Sequence, residues 1–356
     1  MFITVLLDCI RKINSERSIS SIYHLLTGKR SAQTLQDAHL YQLENYFGIY
    51  KTITRDELAS VIKQLERQKC IESNQNAETA QISVVGKGLL DDASIFLELT
   101  GFNGMKYENI SSHLEQRLLL LIQTITNIEA RNNRFVAIVE DVGTQQFVKE
   151  IYNTMKNRRR EWLRGLFKEI HSFLRTIPQN QASIFVDRLT GYDQFGLSKE
   201  QLAQKYQVSK HDIAVTLQLI IHKLLTFLLN ETKNSLYLST LIKDYVEQTF
   251  ITNSAAETLN LFQRGYNLEQ IMSIRKLKES TIHDHLVEIA YADADFNIEP
   301  FVTKDSFVEI ARVIDELDSR KLKVIKQHLN ENYSYFQIRL VMAAMQSHHK
   351  RGSELS

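Results

Sequence analysis

Proline and glycine are scarce in this sequence. Its 356 residues include 2 Pro and 12 Gly, about 4% together, against roughly 12% in average proteins. β-Sandwiches and barrels need frequent Gly and Pro turns, and doubly wound α/β folds need Gly-rich phosphate turns, so both classes are disfavoured. Hydrophobic residues at 43% and charged residues at 24% indicate a globular chain and not a disordered one. The composition therefore predicts a mainly α protein.

Cysteine is also rare, since Cys9 and Cys70 are the only two. Two cysteines build neither a disulfide framework nor a four-ligand zinc site. The sequence contains no C-x-x-C and no H-E-x-x-H spacing. We therefore expect no bound metal and no other cofactor.

The sequence also has almost no net charge. The 43 basic and 42 acidic side chains nearly cancel, which excludes a histone-like coat on DNA but leaves room for a local DNA-binding face. The most apolar stretch, 217–229, carries His222 and Lys223 and is predicted to be too short to span a bilayer. The N-terminal apolar stretch is interrupted by Asp8 and lacks the features of a secretory signal. We expect a cytoplasmic protein with no membrane partner.

The first hundred residues have the order of elements found in a winged helix. Thr54 and Glu57 form a predicted capping box at the start of a helix. The polar stretch ESNQNAETA and the β-branched run QISVVGKGLL follow, with a Gly turn at the end. We therefore predict a winged-helix-like domain over 1–100 with a small β-hairpin, in which Lys87 lies at the hairpin.

A cluster of arginines marks the next predicted domain, a helical region over 101–178. Its four members are Arg158, Arg159, Arg160 and Arg164. They are candidate DNA contacts, and the alternative is a solvated helix face. Trp162 among them is expected to serve packing. The stretch FVAIVED at 135–141 is either a lone buried strand or part of a helix.

A helix-turn-helix pattern occurs twice. The segment from Gly196 is matched without a gap by the segment from Gly265, 69 residues later, and both carry a capping box before the first helix. Apolar positions coincide along both segments. The pattern predicts a helix-turn-helix domain over 179–250 and a second one over 251–350.

The start of the second helix of such a unit enters the major groove in DNA-reading proteins. In the first copy we predict that Ala214, Val215 and Gln218 also point outward, and in the second copy Glu279, Asp284 and Val287. The candidate DNA contacts are Ser209, Lys210, His211, Arg275, Lys276, Lys278, Ser280 and His283. Protein docking is the alternative use of both faces. His285 is expected to be buried.

The sequence shows three resemblances to known proteins. LFQRGYNLEQIMSIRKLKESTIHDHLVEIA and the later LKVIKQHLNENYSYFQIRLVMA resemble the C-terminal helix-turn-helix domain of bacterial RecQ-type helicases, over roughly 255–345. The earlier copy is similar in motif to the last DNA-binding region of sigma factors. The whole chain, beginning with SISSIYHLLTGKRSAQTLQDAHLYQLENYFGIY, resembles the YpbB-type proteins of low-GC Gram-positive bacteria.

The resemblance implies a RecQ-type helicase as partner, because YpbB-type proteins tend to be encoded beside one. The resemblance does not extend to the ATPase domain of a helicase, since the sequence has no G-x-x-x-x-G-K-[ST] and no D-E-x-H box. We therefore expect no enzyme. The favoured hypothesis is a multi-domain helix-turn-helix protein, cytoplasmic or nucleoid-associated, that is accessory to such a helicase in DNA repair or recombination. The alternatives are a helix-turn-helix transcriptional regulator and a purely protein-binding adaptor.

Overall fold

Helices make up most of the chain in a computed structural model. The structure describes residues 1–74, 76, 78–91, 99–155, 157–230, 237–244, 251–317, 320–329 and 332–354, with side chains up to 346 in the last range. A short hairpin near the N-terminus is the one sheet among these residues. The prediction of a mainly α fold with a small β-hairpin is confirmed.

The elements follow one another as a long series of helices. The N-terminal part contains α1 (Phe2–Ile13), α2 (Ile19–Thr27), α3 (Ala32–Leu40), α4 (Arg55–Arg67), β1 (Ile71–Asn74), β2 (Thr79–Ile82) and α5 (Val84–Leu90). The middle contains α6 (Gly104–Glu129), α7 (Val142–Met155), α8 (Arg159–Leu174), α9 (Gln179–Arg188), α10 (Lys199–Tyr206) and α11 (Lys210–Asn230). The last part contains α12 (Asn253–Gln263), α13 (Leu268–Arg275), α14 (Glu279–Ala292), α15 (Lys304–Leu317), α16 (Leu322–His328) and α17 (Tyr335–Glu354).

These elements form two compact units. The first consists of 1–6, 48–53 and 89–246, and the second of 7–47, 54–88 and 247–356. Each unit thus combines segments that are far apart in the sequence. The predicted division into four domains stays a prediction.

The hairpin region begins as the sequence indicates and then departs from it. The Thr54 hydroxyl accepts a hydrogen bond from Glu57 N, and the Glu57 carboxylate accepts one from Thr54 N, so the capping box is present. β1 and β2 pair antiparallel with Ile71 opposite Ile82. The expected Gly turn at the end of β2 is wrong, because 84–90 form α5 and Lys87 lies on this helix. A Cβ on Gly86 would lie 2.2 Å from the Cys70 carbonyl oxygen, so glycine lets the helix pack closely against the hairpin.

α11 is the central helix of the first unit. Ile220, Leu224, Leu225 and Leu228 are buried in a core formed with α6, α7, α8 and α9. At 21 residues the helix is longer than the apolar stretch suggested and passes a length and composition test for a membrane span. Its side chains are mostly buried within the protein, however, as expected for a core helix.

The stretch 135–141 is neither strand nor helix, so both alternatives considered for it are wrong. The side chain of Gln123 makes hydrogen bonds to the backbone of this stretch that a neighbouring strand would make in a sheet. The buried amide of Gln123 donates to the Val136 carbonyl at 2.9 Å and accepts from Ile138 N at 3.0 Å. One glutamine thus satisfies backbone groups that a β-ladder would otherwise pair.

In the second unit, α14 is the buried helix and contacts α3, α12 and α17. The rings of His39 on α3 and Tyr291 on α14 are stacked, with centroids 5.0 Å apart and planes 7° from parallel. Glu288 of α14 accepts hydrogen bonds from the backbone N–H and the hydroxyl of Thr252, the N-cap of α12. Burial raises the pKa of Glu288.

His222 on α11 makes the stability of the first unit depend on pH. The ring is fully buried, its Nδ1 accepts from Asn103 N at 3.1 Å, and its Nε2 lies 2.9 Å from the Gln218 amide nitrogen. Burial lowers its pKa from 6.5 to about 3. Protonation therefore favours the unfolded chain, and the free energy of unfolding falls by about 1.4 kcal/mol per pH unit as the pH drops below 6.5.

We predict that His222→Gln removes this acid sensitivity. Between pH 6.5 and pH 4.5 the wild-type protein should lose about 2 to 3 kcal/mol more than the variant, measured by urea unfolding. His328→Gln, which changes an exposed histidine, is the control and should keep the wild-type slope. Equal slopes for wild type and His222→Gln would contradict the prediction.

Candidate nucleic-acid interface

Both helix-turn-helix copies have the predicted local geometry. Ser198 with Gln201, and Asn267 with Gln270, form reciprocal capping boxes. The turn residues Gln207 and Lys276 both adopt the left-handed conformation, at φ 54° and 52°. Lys276 thus occupies a position where glycine is usual, at a cost of about 1 to 2 kcal/mol.

In the first copy the start of α11 is covered by other residues of the first unit. The N-terminal ammonium of Met1 and the N–H of Phe2 both contact the Asp212 carboxylate, at 3.0 and 2.9 Å. Asp212 also accepts from the Ser209 hydroxyl at 2.6 Å. Although burial opposes it, these hydrogen bonds and the nearby ammonium hold the pKa of Asp212 below its usual value.

His211 has protein partners in the same place. Its Nδ1 lies 2.9 Å from the Tyr50 hydroxyl, and its ring centroid is 5.2 Å from that of Phe2. Ser209 and Lys210 are exposed. Ala214 and Val215 are buried, so the prediction that they point outward is wrong. This copy therefore presents only a small part of its second helix to solvent.

In the second copy Arg275 joins two helices. Its guanidinium donates to the Ser254 carbonyl and, at 2.6 Å, to the Thr258 hydroxyl of α12. It also lies 2.8 Å from the Glu257 carboxylate. The side chain is only 11% exposed, so Arg275 fixes α13 against α12 and is poorly placed to reach a phosphate.

The next two basic residues differ from Arg275. Lys276 and Lys278 are exposed, and neither has an ion-pair partner within the part of the chain that the structure describes. Ser280 and Glu279 beside them are also exposed. Two unpaired lysines at the turn are placed to contact phosphates.

The remaining face of α14 is largely covered by α17. The His283 ring stacks on Phe336 with centroids 3.7 Å apart, and Asp284 pairs with Arg339 at 2.7 Å. Burial is the main cause that lowers the pKa of His283. Val287 is buried, so the prediction that it points outward is wrong.

His285 is buried as expected for a packing residue. Its Nδ1 lies 2.8 Å from the Thr258 hydroxyl, the same hydroxyl that Arg275 contacts. Burial lowers the pKa of His285, and the Arg275 charge lowers it further. No group of three metal-ligating side chains occurs among the described residues.

The arginine cluster does not share one face of α8. Arg158, Arg159, Arg160 and Arg164 are all exposed. At about 100° per residue, Arg160 and Arg164 lie on one side, while Arg158 and Arg159 point elsewhere. Arg158 lies 3.7 Å from Glu161, and Arg160 lies 3.1 Å from Glu129.

The aromatic residues of α8 divide between its two sides. Trp162 is half-buried and packs edge-on against Tyr237, with centroids 5.0 Å apart. Gly165 leaves room for the Tyr237 ring, which a Cβ would approach to 2.1 Å. Phe167, by contrast, is 68% exposed. The residue that sequence reasoning missed is therefore Phe167, which the helical spacing from Arg160 and Arg164 places on their side.

Comparisons with known proteins agree with this architecture. Residues 2–92 match the model of the RQC domain, and 254–342 match the model of a helix-turn-helix domain. Protein YpbB of Bacillus subtilis (strain 168) is 30% identical over 342 residues, which cover 96% of this chain and 96% of that protein. This chain belongs to the YpbB family. No solved structure matches it.

RQC and helix-turn-helix domains of these kinds are found in RecQ-type helicases and are DNA-binding domains. In this YpbB-family chain the RQC match covers α1 to α5, and the helix-turn-helix match contains Lys276, Lys278 and Ser280. The first helix-turn-helix copy and the arginines of α8 lie outside both matches. DNA contact by the candidate residues stays a prediction.

Replacing each of the three basic residues of the second copy should have different effects on the free energy of unfolding. Arg275→Ala should lower the free energy of unfolding by about 1 to 3 kcal/mol, because the buried Thr258 hydroxyl loses its charged donor. Lys276→Ala and Lys278→Ala should change it by less than about 0.5 kcal/mol. Chemical unfolding of the three variants measures this, and three equal values would show that Arg275 is not a structural contact.

Proposed function

We propose that this YpbB-family protein is a non-catalytic, DNA-binding accessory to a RecQ-type helicase in DNA repair or recombination. The observation that carries the proposal is the combination in one chain of an RQC domain match and a helix-turn-helix match of the kinds found in such helicases. The helicase motifs themselves do not occur in the sequence. The protein then supplies DNA contacts to an ATPase on another chain, in the cytoplasm at the nucleoid.

The exposed side chains favour contact with the DNA backbone over reading of base edges. Lys276 and Lys278 are free to neutralise phosphates. His283 and Asp284, which a base-reading helix would direct into the groove, are engaged by Phe336 and Arg339. Few phosphate contacts give weak affinity. Linking such a contact to a helicase-binding surface raises the effective concentration of the helicase at DNA.

The covered face of α14 also argues against the transcriptional regulator. A regulator of this class reads a palindrome as a dimer, with the second helix of each unit in the major groove. Within α14 only the first two residues, Glu279 and Ser280, are exposed. We therefore favour the accessory role.

Replacing the two lysines tests the DNA contact. In Lys276→Asn/Lys278→Ser, Asn suits the left-handed turn position and Ser supplies the N-cap hydroxyl that Lys278 lacks. We therefore expect a protein at least as stable as wild type. Its duplex DNA affinity should fall, and the slope of log K against log salt should become shallower by about 1.8. Fluorescence anisotropy with a labelled duplex measures both.

A matched variant in the same unit controls for net charge. Lys304→Gln/Arg312→Gln removes two positive charges that are already paired, with Glu299 and Glu316. This variant should keep the wild-type affinity and slope. An equal loss in both double variants would mean that the turn lysines are not the contact.

The helicase partner is tested separately, with the purified full-length chain and the RecQ-type helicase of the same organism. After nuclease treatment the two proteins should still elute together in size-exclusion chromatography. Two separate peaks would overturn the accessory role, whatever the DNA affinity of the chain.

A further inference from the structure

One side of α8 forms an exposed stripe of cations around an aromatic pair. We call it the α8 stripe. Its members are Arg160, Arg164, Phe167, Lys168, His171 and Arg175, the last at the C-cap. Spacings of four, seven, eight, eleven and fifteen residues from Arg160 keep them within about 100° of the helix surface and over about 22 Å of its length. All six side chains are exposed, and the contact described on this side is that of Glu129 with Arg160, at 3.1 Å.

The core of the first unit does not need Phe167. Leu166 and Phe173 on the opposite side of α8 are buried in it, and Trp162 packs on Tyr237. Phe167 instead stacks on His171, with centroids 5.9 Å apart and planes 17° from parallel. A large apolar ring that is 68% exposed and backed by a second flat ring offers a surface for stacking.

The charges around this pair are uncompensated. Arg164, Lys168 and Arg175 have no ion-pair partner in the described ranges. The Arg160 pair with Glu129 is exposed, and such pairs contribute about 0 to 1 kcal/mol, so a phosphate can replace the carboxylate. The acids of α8 are occupied elsewhere, because Glu161 contacts the Tyr237 hydroxyl and Glu169 accepts from Tyr237 N and Leu238 N.

We propose that the α8 stripe binds a single-stranded DNA segment. Phosphates contact Arg160, Arg164, Lys168 and Arg175, and a base stacks on Phe167. Cations that follow the backbone and an aromatic ring that accepts any base are the features of sequence-independent single-strand binding. A duplex cannot use Phe167 in this way, because its bases are already stacked in pairs. The choice of DNA over RNA rests on the function proposed above.

The dimensions of the stripe suit a short segment. Its length of about 22 Å corresponds to about six nucleotides at the spacing of a stacked strand. Four phosphate contacts predict a slope of log K against log salt of about −2.8. So few phosphate contacts make the site a weak one, in addition to the duplex contact proposed for Lys276 and Lys278.

Phe167→Ala in the full chain is the decisive variant. Anisotropy with a fluorescent oligo-dT of about a dozen nucleotides should show a loss of affinity of about 5- to 150-fold with an unchanged salt slope. Arg164→Gln/Lys168→Gln should instead make the slope shallower by about 1.4. Because Phe167 is largely exposed, both variants should keep the wild-type circular dichroism and melting temperature.

Phe167→Trp supplies a direct signal. Stacking of a base on the new indole should quench its fluorescence on addition of oligo-dT, with near wild-type affinity. The single native tryptophan, Trp162, packs on Tyr237 and should not respond in the parent protein. Quenching in the parent protein alone, or no quenching in the variant, would overturn the stacking role of position 167.

Phe195→Ala is the matched control, because this side chain is also exposed, at 82%, but has an acidic neighbour, Asp193, and no cation stripe. It should bind oligo-dT as wild type does. An equal loss in both Phe→Ala variants would overturn the assignment to the α8 stripe. Tighter binding to oligo-U RNA or to anionic lipid vesicles than to oligo-dT would overturn single-stranded DNA as the ligand.

The two proposals fail in different ways. If Phe167→Ala leaves oligo-dT binding unchanged while Lys276→Asn/Lys278→Ser loses duplex binding, the α8 stripe is excluded and the proposed function stands. If Phe167→Ala loses oligo-dT binding while the helicase elutes separately, the single-strand site stands and the accessory role falls.

Discussion

Contact between α3 and α14 is the constraint on which the second unit depends. His39 and Tyr291 stack there, both almost fully buried, and the Gln346 amide of α17 donates to the His39 carbonyl. Residues near the two ends of the sequence thereby share one core. The RQC-matching segment and the helix-turn-helix match contribute α3 and α14 to it. Burying α14 on several sides leaves only its N-terminal end and the preceding turn for a ligand.

That constraint divides the basic residues of the turn by role. Arg275 points back to α12 and is held by Thr258 and Glu257. Lys276 and Lys278 point away from the protein. Of these three basic residues, Arg275 makes a structural contact, and Lys276 and Lys278 are exposed and free of ion pairs among the described residues. Arg275 is the last residue of α13, whereas Lys276 and Lys278 lie in the turn, and this difference in position leaves the two lysines exposed.

The first unit uses its helix-turn-helix for packing. The second helix of that copy is the core helix α11, and its start is held by Met1 and Phe2 through Asp212. The available charge of this unit lies instead on α8, where the apolar side is buried and the basic side is exposed. The second helix of a motif that reads DNA in other proteins is here largely buried in the core of its unit, and the amphipathic helix α8 carries an exposed basic surface.

The local features of this protein were predictable from its amino-acid sequence. The capping boxes at Thr54, Ser198 and Asn267 and the mainly α fold with its hairpin are present as predicted, because they depend on backbone and side chains within a few residues. The burial of Val215 and Val287 and the formation of α5 after the hairpin were not predictable in this way. Burial depends on partners that are distant in sequence. Asp212 contacts Met1, and His283 stacks on Phe336. The periodicity of a single helix cannot predict such contacts.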